Sequence, residues 1–557
     1  MTPSNAQGSP SSTSQWGPLR GNWLTGISLV GAVAEIGVWA GFSPDRTYQV
    51  FYSMPVMSAL LLALVLWALF GGGRKRTPLL RRSIAIALVF GTLHGLFRFE
   101  EFEGDMIPRF SFRWTPTREE KLKAYLTNSA RTAESTSKPD AGTPAVDNTP
   151  NVTDASPPPA PRLEIADTDW PSFRGATRDS IVTDPAAKFD WTQAPRELWR
   201  HPIGAGWGSF TVVGGFAFTQ EQREASEFVV CYEIETGREV WSHEDKARFE
   251  EAMAGPGPRA TPTIHDSKVF ALGATGYLNC LDALTGKQLW QREILKDADT
   301  ENINWAMSGS PLIVDDVVVV NPGGKNGNGV VAYQQATGEP AWRGGNDRAS
   351  YAAPKLGVLG ETRQILIFDG IGLAGHAADS GRQLWKIDWS NQPQVNAAEP
   401  VVLDDKTLLI GSGYDKGGAE IRVTRDGEKW KADLARTGKS FRLKFNAPVV
   451  KDGYAYGMDE SIMTCLDLKE FKTKWKKGRY GYGQMLLIGD DILVLTEQGE
   501  IAIVKANPDR HEETARFPAI TGKTWNHPVV WRDLLLVRNG EEVACFRLAR
   551  QSEAVRR

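Results

Sequence analysis

The chain has 557 residues, 24% of them charged, with 64 Lys and Arg against 67 Asp and Glu and a formal net charge of −3. That balance lacks the basic surplus of a dedicated nucleic-acid binder. Four Cys and seven His are too few for a disulfide framework or a multinuclear metal centre in so long a chain, whereas 55 Gly and 19 Trp are a surplus that needs a cause.

Residues 1–22 read as a cytoplasmic tail. Three apolar runs follow, 23–42, 54–71 and 83–99, each close to the ~20 residues that cross ~30 Å of hydrocarbon as a helix. They predict a three-helix transmembrane anchor over 23–99. The loop between the second and third runs holds Arg74, Lys75, Arg76, Arg81 and Arg82, while the loop before it holds only Arg46 beside Asp45. Basic loops stay cytoplasmic. The expectation is therefore a multi-pass protein of the inner (cytoplasmic) membrane, N-terminus inside and everything after residue 100 in the periplasm. Glu35 and His94 lie within these runs and read as helix-end or interhelix groups rather than as a proton path.

Residues 100–166 form a juxtamembrane segment and linker. The charged stretch at 118–126 (REEKLKAYL) predicts a short helix. The tract at 129–162, rich in Ser, Thr, Pro and Ala, cannot bury enough surface to offset its chain entropy and predicts a disordered tether.

A repeat governs 167–549, and 550–557 is a short C-terminal tail. The unit YLNCLDALTGKQLW (277–290) recurs at 228–241, 330–342, 375–385, 420–430 and 463–475 as a strand, a turn that in most copies contains Gly, and a strand ending in Trp. Gly supplies the positive φ of a tight turn. A second landmark precedes each turn: ATPTI (260–264), GSPLI (309–313), AAPKL (352–356), AEPVV (398–402), NAPVV (446–450) and NHPVV (526–530), with degenerate copies at 208–212 and 483–487. These eight starts predict an all-β, eight-bladed propeller of four-stranded antiparallel blades. Trp241, Trp290, Trp342, Trp385, Trp430 and Trp475 close successive units, with Phe517 in the seventh place. The eighth unit runs out after three strands, and RELWRHP, with Trp199, supplies the fourth from the other end of the repeat region. Closure by terminal strands removes the open sheet edge. Cys231, Cys280 and Cys465 each lie ten residues before their Trp, and Cys545 is in the like strand of the last unit. Equivalent positions in different blades are too far apart for a disulfide.

The Thr-Gly…Leu-Trp repeats resemble the tryptophan docking motifs of pyrroloquinoline-quinone (PQQ)-type propellers. That group includes quinoprotein alcohol dehydrogenases and the propeller lipoprotein of the outer-membrane β-barrel assembly machinery. The segments at 169–182 (DWPSFRGATRDSIV), 480–508 and 99–114 resemble a bacterial branch of PQQ-binding-like repeat proteins. The resemblance is specific for fold and weak for function, because one fold hosts many sites.

A quinoprotein dehydrogenase of this resemblance holds PQQ with calcium on the axis, an adjacent Cys pair and an Asp base. No two of the Cys here are neighbours, and no C-x-x-C-H haem motif is present. The strand starts supply Ser209, Thr261, Ser310, Ala353, Glu399, Ala447, Gln484 and His527, with one carboxylate among them, which is thin for a hard-cation cage. No catalytic residue, metal site or cofactor is therefore expected. The leading expectation is a membrane-anchored, non-catalytic binding or scaffolding module for envelope proteins, tethered to the membrane by its three helices. A PQQ-dependent alcohol or sugar dehydrogenase and a binder of small ligands or glycans in the central funnel are the alternatives. Candidate residues of the binding face are Trp207, Arg259, Trp305, Glu399, Tyr414, Asn446, Tyr482, Gln484, Trp525 and His527.

Overall fold

Short strands that alternate apolar and polar residues bury one face only against a neighbouring sheet, and here each repeat supplies such a sheet for the next. The computed structural model describes residues 22–37, 53, 56–63, 65–66, 88, 91–104, 107–136 and 162–551. Its contacts divide the chain into two units, Met1–Thr115 and Pro116–Arg557. In the second, eight sheets follow one another; six are antiparallel meanders of four consecutive strands, the seventh adds Ile181–Val182 in parallel beside Gln484–Ile488, and the eighth takes its fourth strand from Arg196–Pro202. The blade at 263–293 shows the pattern, with strands Thr263–His265, Lys268–Leu272, Tyr277–Asp282 and Gln288–Glu293 paired antiparallel. The fold is the expected eight-bladed propeller.

Closure falls where the repeat pattern puts it. Arg196–Pro202 pairs antiparallel with Glu542–Arg547 and sets Trp199 opposite Cys545. Cys231, Cys280 and Cys465 likewise face Trp241, Trp290 and Trp475 across their ladders. All four thiols are free and buried, and burial pushes those of Cys280 and Cys545 up to about 12.

The spacing of Trp and Gly has one mechanical cause. The indole of Trp241 donates to Ala283 O of the next blade at 3.0 Å, and its ring lies against Gly286. A Cβ added at Gly286 would stand 2.5 Å from that ring, and the residue has φ +71°. Gly is thus required twice, for backbone conformation and for ring clearance. Trp199 on Gly237, Trp290 on Gly338 and Trp342 on Gly381 repeat the arrangement, and Trp475 donates to Asn507 O at 2.9 Å.

The pattern then departs from its sequence landmarks. Trp430 pairs with Arg425 near the tip of an elongated hairpin, Gly417–Asp426 with Lys429–Gly438. The docking position of that blade, opposite Glu420 at the ladder bulge, belongs to Arg436. Its guanidinium donates to Leu468 O at 2.8 Å and covers the ring of Phe471 at 5.2 Å. Phe471 stands where other blades have Gly, and it too has a positive φ, 52°. A cation over an aromatic face here replaces an indole over a bare backbone. In the seventh blade the corresponding place opposite Ile503 is held by Ala515, and Phe517 pairs two residues further on with Ile501.

Helix Arg118–Thr136 runs on well past the expected end at residue 126. Thr117 caps it: its Oγ1 accepts from Glu120 N at 3.1 Å while Glu120 Oε2 accepts from Thr117 N at 2.7 Å, a reciprocal box. Leu122 is buried, and Tyr125 stacks on His201 of the closing strand at 4.8 Å. Residues 137–161, most of the expected tether, lie outside the described residues.

The first unit corrects an expectation. Helix Asn22–Gly37 has 16 residues, about 24 Å at 1.5 Å per residue. The run at 54–71 is described only in part. In the third run, strand Phe97–Phe102 replaces helix at its end and pairs with Pro108–Phe112. Among the described residues no helix is long and apolar enough to cross a membrane. The multi-pass inner-membrane placement, with the sidedness drawn from it, is withdrawn. Glu35 accepts a hydrogen bond from Ser53 Oγ at 2.7 Å.

Trp290→Ala removes a buried docking indole and is expected to cost ~3–5 kcal/mol. Trp430→Ala, at the hairpin tip, should cost less than half of that. Urea unfolding of the two variants gives the comparison.

Candidate functional site at the strand-start face

The eight innermost strands begin at one end of the axial channel, and the residues just before them form the candidate face. Six of the starts carry Pro, at 262, 311, 354, 400, 448 and 528. Pro has no N–H, so this level of the channel is rich in carbonyl acceptors and poor in backbone donors.

The donors come from the entry segment. Arg174 donates to Glu399 Oε2 and to Pro448 O, both at 3.0 Å, and to Ser180 Oγ at 2.7 Å. Arg178 donates to Pro354 O at 2.8 Å, to Ser310 O at 3.3 Å and to Pro311 O. Lys355 Nζ reaches Arg178 O at 2.9 Å. All of these side chains are buried. Burial pulls Arg178 down to about 10, and burial together with the charge of Arg174 pulls Lys355 down to about 8.

His527 completes the set. Its Nδ1 faces Pro528 O at 2.8 Å and its Nε2 faces Ser180 Oγ at 2.8 Å. A carbonyl can only accept, so Nδ1 carries the proton and Nε2 accepts from the Ser180 hydroxyl. Burial and the Arg174 charge push His527 down to about 3. Ring residues Glu399 and His527 are thus held by the entry segment.

Above this level the face is aromatic. Trp207 lies 5.0 Å from Trp525, Trp525 4.9 Å from Phe445, and Phe445 6.0 Å from Tyr482. Phe445 and Trp525 enter blades that are not neighbours, so the arc leans over the axis. Lys523 Nζ lies between Trp207 and Trp525, 4.8 and 4.3 Å from their centroids, and Lys444 Nζ lies 4.5 Å from Tyr482 and 5.4 Å from Tyr414. Beneath the arc, Gln484 Nε2 donates to Phe445 O and Trp525 O at 3.2 and 3.1 Å. Asn446 Nδ2 donates to Gly483 O at 3.2 Å. Glu497 accepts from the Trp525 indole at 2.8 Å. Arg259 donates to Trp305 O at 3.0 Å, and Trp305 packs on Tyr351 at 5.4 Å. The structure therefore brings Trp207, Tyr414, Tyr482 and Trp525 together, sets Arg259 and Trp305 in a second cluster, and uses Asn446 and Gln484 as supports.

Phe445, Lys444, Lys523 and Tyr351 are absent from the sequence-derived candidates, yet a signal was present. The residue before each landmark reads Trp207, Arg259, Ser308, Tyr351, Ala397, Phe445, Tyr482 and Trp525. Aromatic residues fill five of these eight places. Arg174, Arg178 and Lys355 had no periodic signal.

PQQ with calcium does not fit this axis. Glu399 engages Arg174 through one oxygen and leaves only Oε1 without a partner. A divalent cation there would face Arg174, Arg178 and Lys355. Among the described residues no group of three His, Cys, Asp or Glu side chains is placed to hold a metal.

The family model described as outer membrane protein assembly factor BamB matches residues 191–325 and 225–477. An outer membrane protein assembly factor BamB from Xanthomonas campestris is 32% identical over 99 residues, 18% of this chain and 24% of the relative. Quinohemoprotein alcohol dehydrogenase ADH IIB from Pseudomonas putida is 23% identical over 277 residues, 44% of this chain and 39% of the relative. The matches thus span about a quarter to two fifths of these relatives' lengths. Quinohemoprotein alcohol dehydrogenase ADHIIG from Pseudomonas putida HK5 superposes with a TM-score of 0.51 at 12% identity, covering 70% of this chain and 81% of that one. That likeness is one of fold.

Buried His527 makes the stability of the propeller depend on pH. Its folded pKa, about 3, lies below the ~6.5 of a free imidazole, so the unfolded chain binds the proton more readily. Its contribution is fully present above pH ~6.5 and declines by about 1.4 kcal/mol per unit toward pH 3. His527→Asn should remove this contribution to the slope in urea unfolding measured from pH 7 to 4.

Proposed function

The chain belongs to the family of the outer membrane protein assembly factor BamB, and on that premise we propose that its propeller is a non-catalytic binding and scaffolding module for envelope proteins. The observation that carries this reading is the aromatic arc. Trp207, Phe445 and Trp525 are partly exposed on the strand-start face, and their rings pack on one another and on buried Lys523. Preoriented aromatic side chains lose little entropy on binding and are the usual anchors of protein interfaces.

The dehydrogenase names of several relatives make alcohol oxidation the rival reading. Against it stand the cationic axis and the lack of adjacent Cys residues. Binding of a glycan in the funnel is the third reading, and thermal-shift screening with sugars tests it, since stabilisation is expected only if the funnel binds them.

A photo-crosslinking amino acid at Phe445 should yield discrete adducts with envelope proteins, and one at Leu434, on the outer strand, should not. Trp525→Ala should weaken the Phe445 adduct by about 2 kcal/mol of binding, roughly thirtyfold. Equal labelling at both sites, or an adduct indifferent to Trp525, would refute the face.

A further inference from the structure

The entry segment touches every blade. Trp170 exchanges both backbone hydrogen bonds with Val212 of the first blade, at 2.7 and 2.8 Å. Pro171 O accepts from Ile264 N of the second. Arg178 reaches the third and fourth through Ser310 and Pro354, and Arg174 the fifth and sixth through Glu399 and Pro448. Ser180 O accepts from Leu487 N of the seventh, beside the parallel pairing of Ile181 with Leu487. Ser180 Oγ meets His527 of the eighth.

Two features separate this segment from an ordinary N-terminal extension. Its backbone is held in the left-handed region at Arg174, Arg178 and Ser180, with φ of 63°, 54° and 63°. Non-glycine residues keep such values only where their surroundings over-determine them. Its side chains also answer the chemistry of the channel. Prolines at the strand starts leave carbonyls without local donors, and a guanidinium carries five N–H donors in a plane. Each buried carbonyl left unmatched would forfeit its hydrogen bond with nothing in return.

We propose that the strand-start carbonyls of the axial channel form a guanidinium receptor, and that segment 169–182 is its tethered ligand. The receptor then accepts a free guanidinium cation once the tethered one is removed. The channel is closed from within by the chain's own polypeptide, which leaves the aromatic face as the surface for partners.

Arg178→Gly tests this, because Gly suits the positive φ and opens the site. The variant should unfold several degrees below the wild-type chain, and millimolar methylguanidinium should restore some of that loss in a saturable way. Methylurea and sodium chloride at equal concentration should not, and wild type should show no such shift. An unchanged midpoint, or equal response to methylurea, overturns the receptor. A second measurement needs no variant. By hydrogen exchange the amides of Trp170 and Ile181 should open within tenfold of the inner strands. Exchange a thousandfold faster would mean that the segment lies in the channel without being bound as its ligand.

Discussion

The docking of a blade's outermost strand on the next blade's turn, made through Trp199, Trp241, Trp290, Trp342, Arg436 and Trp475, is the constraint on which the propeller depends. A four-stranded sheet alone cannot bury both faces, and neighbouring twisted sheets must be fixed at a constant angle for the ring to close. An indole lying on a bare Gly turn sets that angle through a hydrogen bond and a flat contact. At Trp241 and Gly286 both are seen, since the indole donates to Ala283 O at 3.0 Å and a Cβ at Gly286 would collide with the ring. The surpluses of Trp and Gly therefore share a cause, because each such contact takes one residue of either type.

The same contact can be made by other chemistry, which marks the limit of what the repeat discloses. Two blades lack a Trp at the docking position; the fifth uses Arg436 there, and the turn it meets uses Phe471 in place of Gly. Spacing from the Gly turn pointed to Trp430, because the blade's long hairpin puts an indole near the usual distance from a Gly. Only the ladder bulge after Glu420 identifies the true position. Ala515 and Phe517 make the same point in the seventh blade. Blade number, strand order and closure through Trp199 and Cys545 were legible because they rest on recurring residue types. Phe445 and Tyr351 shared a register with Trp207 and Trp525 and could have been found by aligning the residue before each landmark. Arg174 and Arg178 could not, since their role is set by distant strand starts of several blades meeting at one axis.

That axis connects architecture to function. Prolines that begin the inner strands create an acceptor-rich channel, and two arginines and a lysine with one carboxylate fill it. Such a site favours neither a hard cation nor a quinone that needs one, although the fold is shared with quinone enzymes. What stays accessible is the rim, where rings are braced from below by Gln484 and from the side by Lys523 and Lys444. A rigid aromatic surface over a self-filled axis is the feature on which the proposed binding role rests.

The central claim, that the axis is filled by the chain itself and the propeller acts through its face, meets its most direct test in adding PQQ and calcium to the purified protein. No stoichiometric quinone absorbance and no dye reduction with alcohols or sugars are expected. A one-to-one quinone spectrum with substrate-dependent dye reduction would contradict it.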